Sequence, residues 1–231
     1  MNDANTEKDD RNLRDALALL VERCPVLAET VYWAGTSAVA LEELGHRQSL
    51  DLDLHTRRAL LDVRPILARL RAAFGVDFEL VQPPDEFGSG FRAVLRLPNA
   101  ARVTIEFLSN YQDVSDAELV PSSTVPSIKR VSLAKYLADK IQCVVERREA
   151  RDLFDICAVL RRRPDLEGLA RRVVAEQDAL LMAERLLTWT DSEIADDLEP
   201  YSGVNPADAR CAGDMLLRWL KSARSQDEPK T

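Results

Sequence analysis

The stretch Leu50-Asp51-Leu52-Asp53-Leu54 decides the fold of this chain. Strict alternation of leucine with aspartate has the period of a β-strand, so the leucines point to one face of a sheet and both carboxylates to the other. A half-exposed strand with ordinary surface acids shows the same alternation, so the pattern is weak evidence of a site by itself. Its weight comes from Gly35, sixteen positions upstream.

A strand, a glycine turn and a helix precede this carboxylate strand. Residues 30–33 are β-branched and aromatic and predict a buried strand, whereas residues 37–44 predict a helix. Gly35 between them lets the backbone come close to a phosphate, and amides at the start of a helix attract anionic oxygens. The hydroxyls of Thr36 and Ser37 add donors. The alternative interpretation of Gly35 is a simple tight turn.

The two aspartates have the spacing of metal ligands. Two carboxylates one residue apart on a strand can hold one or two Mg²⁺ (or Mn²⁺) ions, which lie about 3.5–4 Å apart in two-metal phosphoryl chemistry. Such a site needs a third carboxylate, and Glu106 stands on the polar side of a later predicted strand. Asp77 and Glu79 compete for that role. The sequence therefore predicts a metal site at Asp51, Asp53 and one further acid.

The remaining pattern divides the chain into a mixed half and a helical half. In the mixed half, polar residues 1–10 predict irregular chain, and the later predicted elements are helices at 13–24 and 59–74 and strands at 76–81, 91–97 and 102–108. A Ser/Thr/Pro segment at 121–127 predicts a linker. Beyond it the patterns are helical, at 132–147, 152–160, 166–189 and 206–220. We predict an α+β fold with a mixed sheet flanked by helices in residues 1–128 and a helical domain in residues 129–231.

The composition excludes several classes of protein. The chain has 231 residues, 46% hydrophobic and 30% charged, which suffices for one substantial core or two small ones. The segment Met1–Asn5 is polar, and no apolar run is long enough to predict a signal peptide or a membrane span. The four cysteines lie far apart without a C-x-x-C pair, which predicts reduced thiols in the cytoplasm rather than a zinc site.

The charge is unevenly distributed. A net charge of −8 argues against a protein that coats nucleic acid unselectively. Between Lys129 and Arg172, however, 12 Lys and Arg face 7 Asp and Glu. This basic segment predicts either an anion-binding surface or a set of ordinary solvated helix faces.

Two blocks of sequence resemble a known family. The run Tyr32-Trp33-Ala34-Gly35-Thr36-Ser37, followed by Gly45-His46-Arg47-Gln48-Ser49-Leu50-Asp51-Leu52-Asp53-Leu54, is similar to the G-G-T-x-L … R-x-S-x-D-x-D-L signature of AbiEii/AbiGii-type toxin nucleotidyltransferases. The run Leu137-Ala138-Asp139-Lys140 … Arg147 … Arg151-Asp152-Leu153-Phe154-Asp155 resembles the family's L-x-x-K … R … K/R-D-x-x-D block. The family belongs to the DNA polymerase β-like nucleotidyltransferase superfamily, so the resemblance implies a nucleotidyltransferase-type sheet.

The resemblance also implies roles for individual residues. It makes Gly35, Thr36 and Ser37 phosphate contacts and Asp51 and Asp53 metal ligands and catalytic residues. It makes Lys140 a contact of the nucleotide phosphates and a catalytic residue, with Asp152 or Asp155 forming the far wall of the catalytic site.

Three points remain open beside these roles. Helix capping and surface pairs with Arg148 and Arg151 are the alternative for Asp152 and Asp155. Arg47 fits the family arginine, which either touches the nucleotide or supports the carboxylate strand. Ala34 departs from the family's first glycine, and its methyl group could restrict the turn.

The predicted function is transfer of an NMP group from an NTP to an acceptor hydroxyl. The resemblance implies a toxin of a type IV-like toxin–antitoxin system, with a cognate antitoxin as partner and a tRNA 3′ end as an acceptor held by the arginine-rich helical half. One alternative is nucleotidylation of a small molecule or a protein. Another is a catalytically silent nucleotide-binding module of the same fold. The oligomeric state has no signal in the sequence.

Overall fold

A computed structural model describes residues 3–201 and 203–227, and side chains from Thr6 to Ser222 apart from residue 202. The chain forms two compact units, Met1–Ser132 and Leu133–Thr231. The boundary predicted at 128/129 lies four residues earlier, because a short strand at Lys129–Val131 still belongs to the first unit.

The first unit contains a seven-stranded mixed sheet with strand order β3-β4-β5-β2-β1-β7-β6. The strands are β1 (Val31–Ala34), β2 (Asp51–Ala59), β3 (Phe78–Gln82), β4 (Gly90–Arg96), β5 (Arg102–Asn110), β6 (Leu119–Pro121) and β7 (Lys129–Val131). The pairs β2/β5 and β1/β7 are parallel, and the other neighbours are antiparallel.

Helices of the first unit cover the sheet and connect its strands. They are α1 (Asp3–Arg23), α2 (Val26–Thr30), α3 (Gly35–Val39) and α4 (Arg64–Phe74), with a π-helical segment Ala40–Leu44 directly after α3 and 3₁₀ turns at Gly75–Asp77 and Asp116–Glu118. Because α1 packs on β2 and β5, the leucines of β2 are buried beneath it. The alternation predicted for β2 is confirmed, since Asp51 and Asp53 lie on the opposite, half-exposed side.

Several predicted boundaries in this unit are wrong. The first helix begins at Asp3, so residues 3–10 are helical rather than irregular. β2 continues to Ala59, and α4 starts only at Arg64, with Pro65 in its first turn. β6 and β7 were missed because three residues each are too few to show a period.

The second unit is helical throughout its described residues. It contains α5 (Leu133–Glu146), α6 (Ala150–Arg162), α7 (Glu167–Glu176), α8 (Ala179–Thr188), α9 (Asp191–Leu198) and α10 (Pro206–Asp227), with a 3₁₀ turn at Pro164–Leu166. The helix predicted at 166–189 is broken because Asp178 caps α8, accepting from the amides of Leu180 and Leu181. α10 packs on α6, α7, α8 and α9. Among all described helices, none has the length and apolar content needed to cross a bilayer.

A buried carboxylate fastens the helix behind the glycine turn. The Glu42 side chain, 2% exposed, lies in the π-helical segment and receives 2.8 Å hydrogen bonds from Arg130 Nε and the Thr124 amide. The Ser122 hydroxyl and the Ser123 amide also donate to it. One carboxylate thus joins the helix to the loop before β7. Burial opposes ionisation of Glu42, but these donors outweigh it and hold its pKa below the usual value.

We expect Glu42→Gln to lower the free energy of unfolding by about 1.5–3 kcal/mol near pH 7, because Arg130 and the loop donors lose a charged acceptor while Arg130 keeps its ion pair with Glu43 at 2.8 Å. A carboxyl whose folded pKa is depressed contributes above its unfolded pKa and loses that contribution as the pH falls through the folded pKa. The difference between wild type and variant should therefore be full above about pH 5 and shrink below about pH 4. Urea unfolding at several pH values measures it; a difference independent of pH would contradict it.

Candidate active site

Four residues form one row across the centre of the sheet. Asp53 of β2 lies opposite Ala34 of β1 on one side and opposite Glu106 of β5 on the other. Glu106 in turn lies opposite Arg92 of β4. Since cross-strand partners point to the same face, the side chains of this row share one surface.

The carboxylates of Asp51, Asp53 and Glu106 converge on this surface. One oxygen of each lies within 4.8 Å of an oxygen of the other two. All three side chains are half-buried, and oxygen ligands at this spacing suit Mg²⁺ or Mn²⁺. Of the competing acids, Asp77 lies in a 3₁₀ turn before β3, and Glu79 pairs with Arg102 at 2.8 Å.

Two polar neighbours hold the acidic cluster. Arg92 Nη2 contacts Glu106 Oε1 at 3.2 Å, and Ser49 Oγ lies 3.4 Å from Asp51 Oδ1. Sequence reasoning missed Arg92, because only the antiparallel register of β4 with β5 places it beside Glu106. The sequence indicated a role for Ser49 only because the run Arg47-Gln48-Ser49 is part of the family signature.

The glycine turn touches the acidic cluster directly. Gly35 has φ +67°, and a Cβ built on it would lie 1.8 Å from Asp53 Oδ2. No other residue fits there without displacing the carboxylate. Ala34, by contrast, has φ −104° in the extended region and is buried, so its methyl group fits the turn without backbone strain.

The hydroxyls after Gly35 are buried within the fold. Arg47 Nη2 donates to Thr36 Oγ1 at 2.8 Å, and Trp33 Nε1 donates to Ser37 Oγ at 2.9 Å. Arg47, Thr36 and Ser37 are all buried. These bonds support the turn from behind, which leaves the backbone of the turn as the part facing the carboxylates.

A second cluster of charges is buried in the helical unit. Lys140 Nζ lies 2.7 Å from Asp152 Oδ1 and 3.0 Å from Asp155 Oδ2, and both carboxylates are fully buried. Arg147 Nε and Nη2 donate to Asp152 at 2.9 and 3.0 Å. Lys140 also lies over the Tyr136 ring, 5.4 Å from its centroid. The residues of the second sequence block therefore form one charge-balanced network.

The network fixes the ionisation of Asp152. Burial alone would raise the pKa of Asp152, but the Lys140 and Arg147 charges outweigh it and hold the pKa below its usual value. The same burial, with Asp152 adjacent, raises the pKa of the Cys143 thiol to about 11. The proposed surface pairs are wrong, because Arg148 pairs with Glu193 and Arg151 with Glu149.

The basic segment is partly balanced by acids of its own unit. Four of its six exposed arginines form ion pairs, namely Arg148–Glu193, Arg161–Asp208, Arg163–Asp165 and Arg171–Glu167, and Arg162 and Arg172 are exposed as well. The acids at 193 and 208 lie beyond the segment in sequence, so a count over residues 129–172 overstates the local charge. The pairs favour the interpretation as solvated helix faces.

No curated protein matches the sequence significantly. Solved structures share the fold: JHP933 from Helicobacter pylori matches with a TM-score of 0.56 at 15% identity over 94% of this chain and 95% of that one. The nucleotidyltransferase toxin MenT4 from Mycobacterium tuberculosis matches with a TM-score of 0.53 at 15% identity over 94% and 87%.

A family model described as Nucleotidyl transferase AbiEii toxin, Type IV TA system, matches residues 35–207. The match begins at the glycine turn and includes the acidic cluster and the Lys140 network. With the mixed sheet and the converging carboxylates, it leads to one conclusion: this chain belongs to the AbiEii family of toxin nucleotidyltransferases and is a nucleotidyltransferase.

Proposed function

We propose that the enzyme transfers an NMP group from an NTP to a hydroxyl of an acceptor RNA, with a tRNA 3′ end as the acceptor, and that Asp51, Asp53 and Glu106 hold the required metal. The convergence of these three carboxylates beside Gly35 carries the proposal. As an AbiEii toxin it would be neutralised by a cognate antitoxin. NTPs and tRNA are cytoplasmic, so we expect it to act there.

The acidic residues and the glycine turn have different roles in the proposed reaction. Bound Mg²⁺ or Mn²⁺ would lower the pKa of the acceptor hydroxyl and offset charge on the triphosphate. The Gly35 turn, where the residue has no side chain, lets the triphosphate approach Asp53 closely, and the amides of the turn donate hydrogen bonds to the phosphate oxygens. The acceptor oxygen bonds to the α-phosphorus as the bond to the bridging oxygen breaks, and pyrophosphate leaves.

The structure removes two reasons to regard the chain as a silent module. Ala34 was the first, and its extended backbone accepts a methyl group without strain. The unconfirmed third carboxylate was the second, and the Glu106 carboxylate lies close to both aspartates. Nothing in the acidic cluster favours a small-molecule or protein acceptor over RNA, and the family match supports a toxin.

Lys140 has two roles to separate. In the free protein it neutralises Asp152 and Asp155, and we propose that it also contacts the nucleotide phosphates when an NTP binds. A lysine suits this because its ammonium group is a point charge that needs no fixed bidentate geometry.

Asp51→Asn, Asp53→Asn and Glu106→Gln should each lower transfer from an α-labelled NTP to total tRNA by at least about 10³-fold, or about 4 kcal/mol, since each removes one metal ligand. Chelation of divalent cations should have the same effect on wild type. Asp77→Asn is the matched control, because Asp77 belongs to the same unit and lies outside the cluster. Transfer at wild-type rates by both aspartate variants would contradict the proposed mechanism.

Gly35→Ala should abolish transfer, because the new Cβ at 1.8 Å would push Asp53 aside and the φ of +67° disfavours alanine. Ala34→Gly, the neighbouring control, should keep wild-type activity. Steady-state transfer assays on both variants, with thermal melting to confirm folding, compare them. An active Gly35→Ala enzyme would show that the close approach is unimportant.

Lys140→Met should cost about 3–5 kcal/mol of stability, because it takes a cation from two buried carboxylates. Lys135→Met, which breaks a partly exposed pair with Asp139 in the same helix, should cost under about 1 kcal/mol. Calorimetry on the folded variants then tests the second role. Unchanged NTP affinity in Lys140→Met would show that the role of Lys140 is purely structural.

A further inference from the structure

Three arginines line the open face of β4 and β5 next to the acidic cluster. In β4, Phe91, Ala93 and Leu95 are buried, so Arg92 and Arg96 point to the other side. In β5 the same alternation places Arg102 on the face of Glu106. The Arg92 and Arg102 side chains are 45% and 54% exposed, and Arg96 is also exposed. We call Arg92, Arg96 and Arg102 the arginine track.

Two members of the arginine track have like charges in direct opposition. Arg96 of β4 is the cross-strand partner of Arg102 on β5. Like charges directly opposite each other on a sheet are destabilising, and these exposed side chains gain no packing in return. Glu79 offsets the Arg102 charge at 2.8 Å, and Glu106 offsets that of Arg92 at 3.2 Å. The arrangement is understandable if an anionic ligand covers the track.

The arginine track lies on the side of the carboxylates away from the glycine turn. Across the central row, Ala34 and the Gly35 turn flank Asp53 on one side, while Glu106 and then Arg92 follow on the other. Phosphoryl transfer places the attacking and the leaving oxygens roughly in line on opposite sides of phosphorus. With the triphosphate at Gly35, the attacking hydroxyl comes from the side of Arg92.

A cavity lies at the far end of the arginine track. Arg102, Gln48 and Ser49 line a pocket of about 210 Å³ together with Asp9, Asn12, Leu13, Leu50 and Val103. Ser49 Oγ lies 3.4 Å from Asp51 Oδ1, so a group in this pocket is one side chain away from the cluster. Along β4, Arg92 and Arg96 are four residues, about 13 Å, apart, so their guanidinium groups can contact separate phosphates.

We propose that the arginine track binds the backbone of the single-stranded 3′ segment of the acceptor RNA and leads its terminal hydroxyl to Glu106. This assignment rests on the proposed function and places acceptor binding on the sheet, beside the carboxylates, rather than on the helical unit. Bidentate contacts from guanidinium groups to phosphate oxygens carry no sequence information, so we expect the track to bind RNA of any sequence.

The test is binding of a short fluorescein-labelled single-stranded RNA, followed by anisotropy over a range of salt concentrations without NTP. The double variant Arg96→Ala/Arg102→Ala should bind at least about tenfold more weakly. Its slope of log affinity against log salt should be shallower by about 1.4, at about 0.7 for each lost phosphate contact on a single strand. Neither Arg96 nor Arg102 is one of the proposed metal ligands or a neighbour of Gly35. Arg92 is left intact because it contacts Glu106.

Arg69→Ala/Arg71→Ala on α4 is the matched control, since it removes the same charge from exposed positions of the same unit. The control should bind RNA like wild type. Equal loss in both double variants, equal binding of single-stranded and duplex RNA, or wild-type affinity and salt slope in Arg96→Ala/Arg102→Ala would each overturn the track.

RNA binding can be tested separately from the proposed function, because it is measured without NTP and requires no transfer reaction. If RNA binding is unaffected while Asp53→Asn abolishes NMP transfer, the track is wrong and the enzyme assignment stands. If RNA binding falls as expected but wild type transfers no NMP to RNA, the track stands and the acceptor reaction is wrong.

Discussion

The parallel pairing of β2 with β5 is the constraint on which the catalytic surface depends. It sets Asp53 opposite Glu106 and Asp51 opposite Thr104, so acids more than fifty residues apart in the chain share one face. A shift of one residue would turn both aspartates toward α1 and the core, because side chains alternate along a strand. The buried leucines of β2 resist that shift, since it would expose them. Packing on one face thereby fixes chemistry on the other.

The glycine turn lies directly against this register. Gly35 follows β1 directly and reaches the Asp53 carboxylate so closely that no Cβ fits. The residues around it are held by hydrogen bonds from Arg47 to the Thr36 hydroxyl and from Trp33 to the Ser37 hydroxyl. These bonds fix the turn next to the carboxylates.

Buried and exposed charges have different roles in the helical unit. Asp152 and Asp155 are fully buried, and without Lys140 and Arg147 their ionised forms would be very unfavourable in that environment. The network therefore constrains α5 and α6 and maintains a buried lysine next to two acids. The exposed arginine pairs of the same unit each contribute little to stability, because solvent screens them.

The sequence by itself determined the alternation of β2, the turn at Gly35 and the family, because these depend on periods and spacings within a few residues. It also predicted the α+β class and a helical C-terminal half. Tertiary structure alone decided that Glu106, not Asp77 or Glu79, joins the aspartates, since that follows from which strands become neighbours. Strand pairing also brought Arg92 to Glu106. Such choices rest on long-range packing, which no local pattern in the chain records.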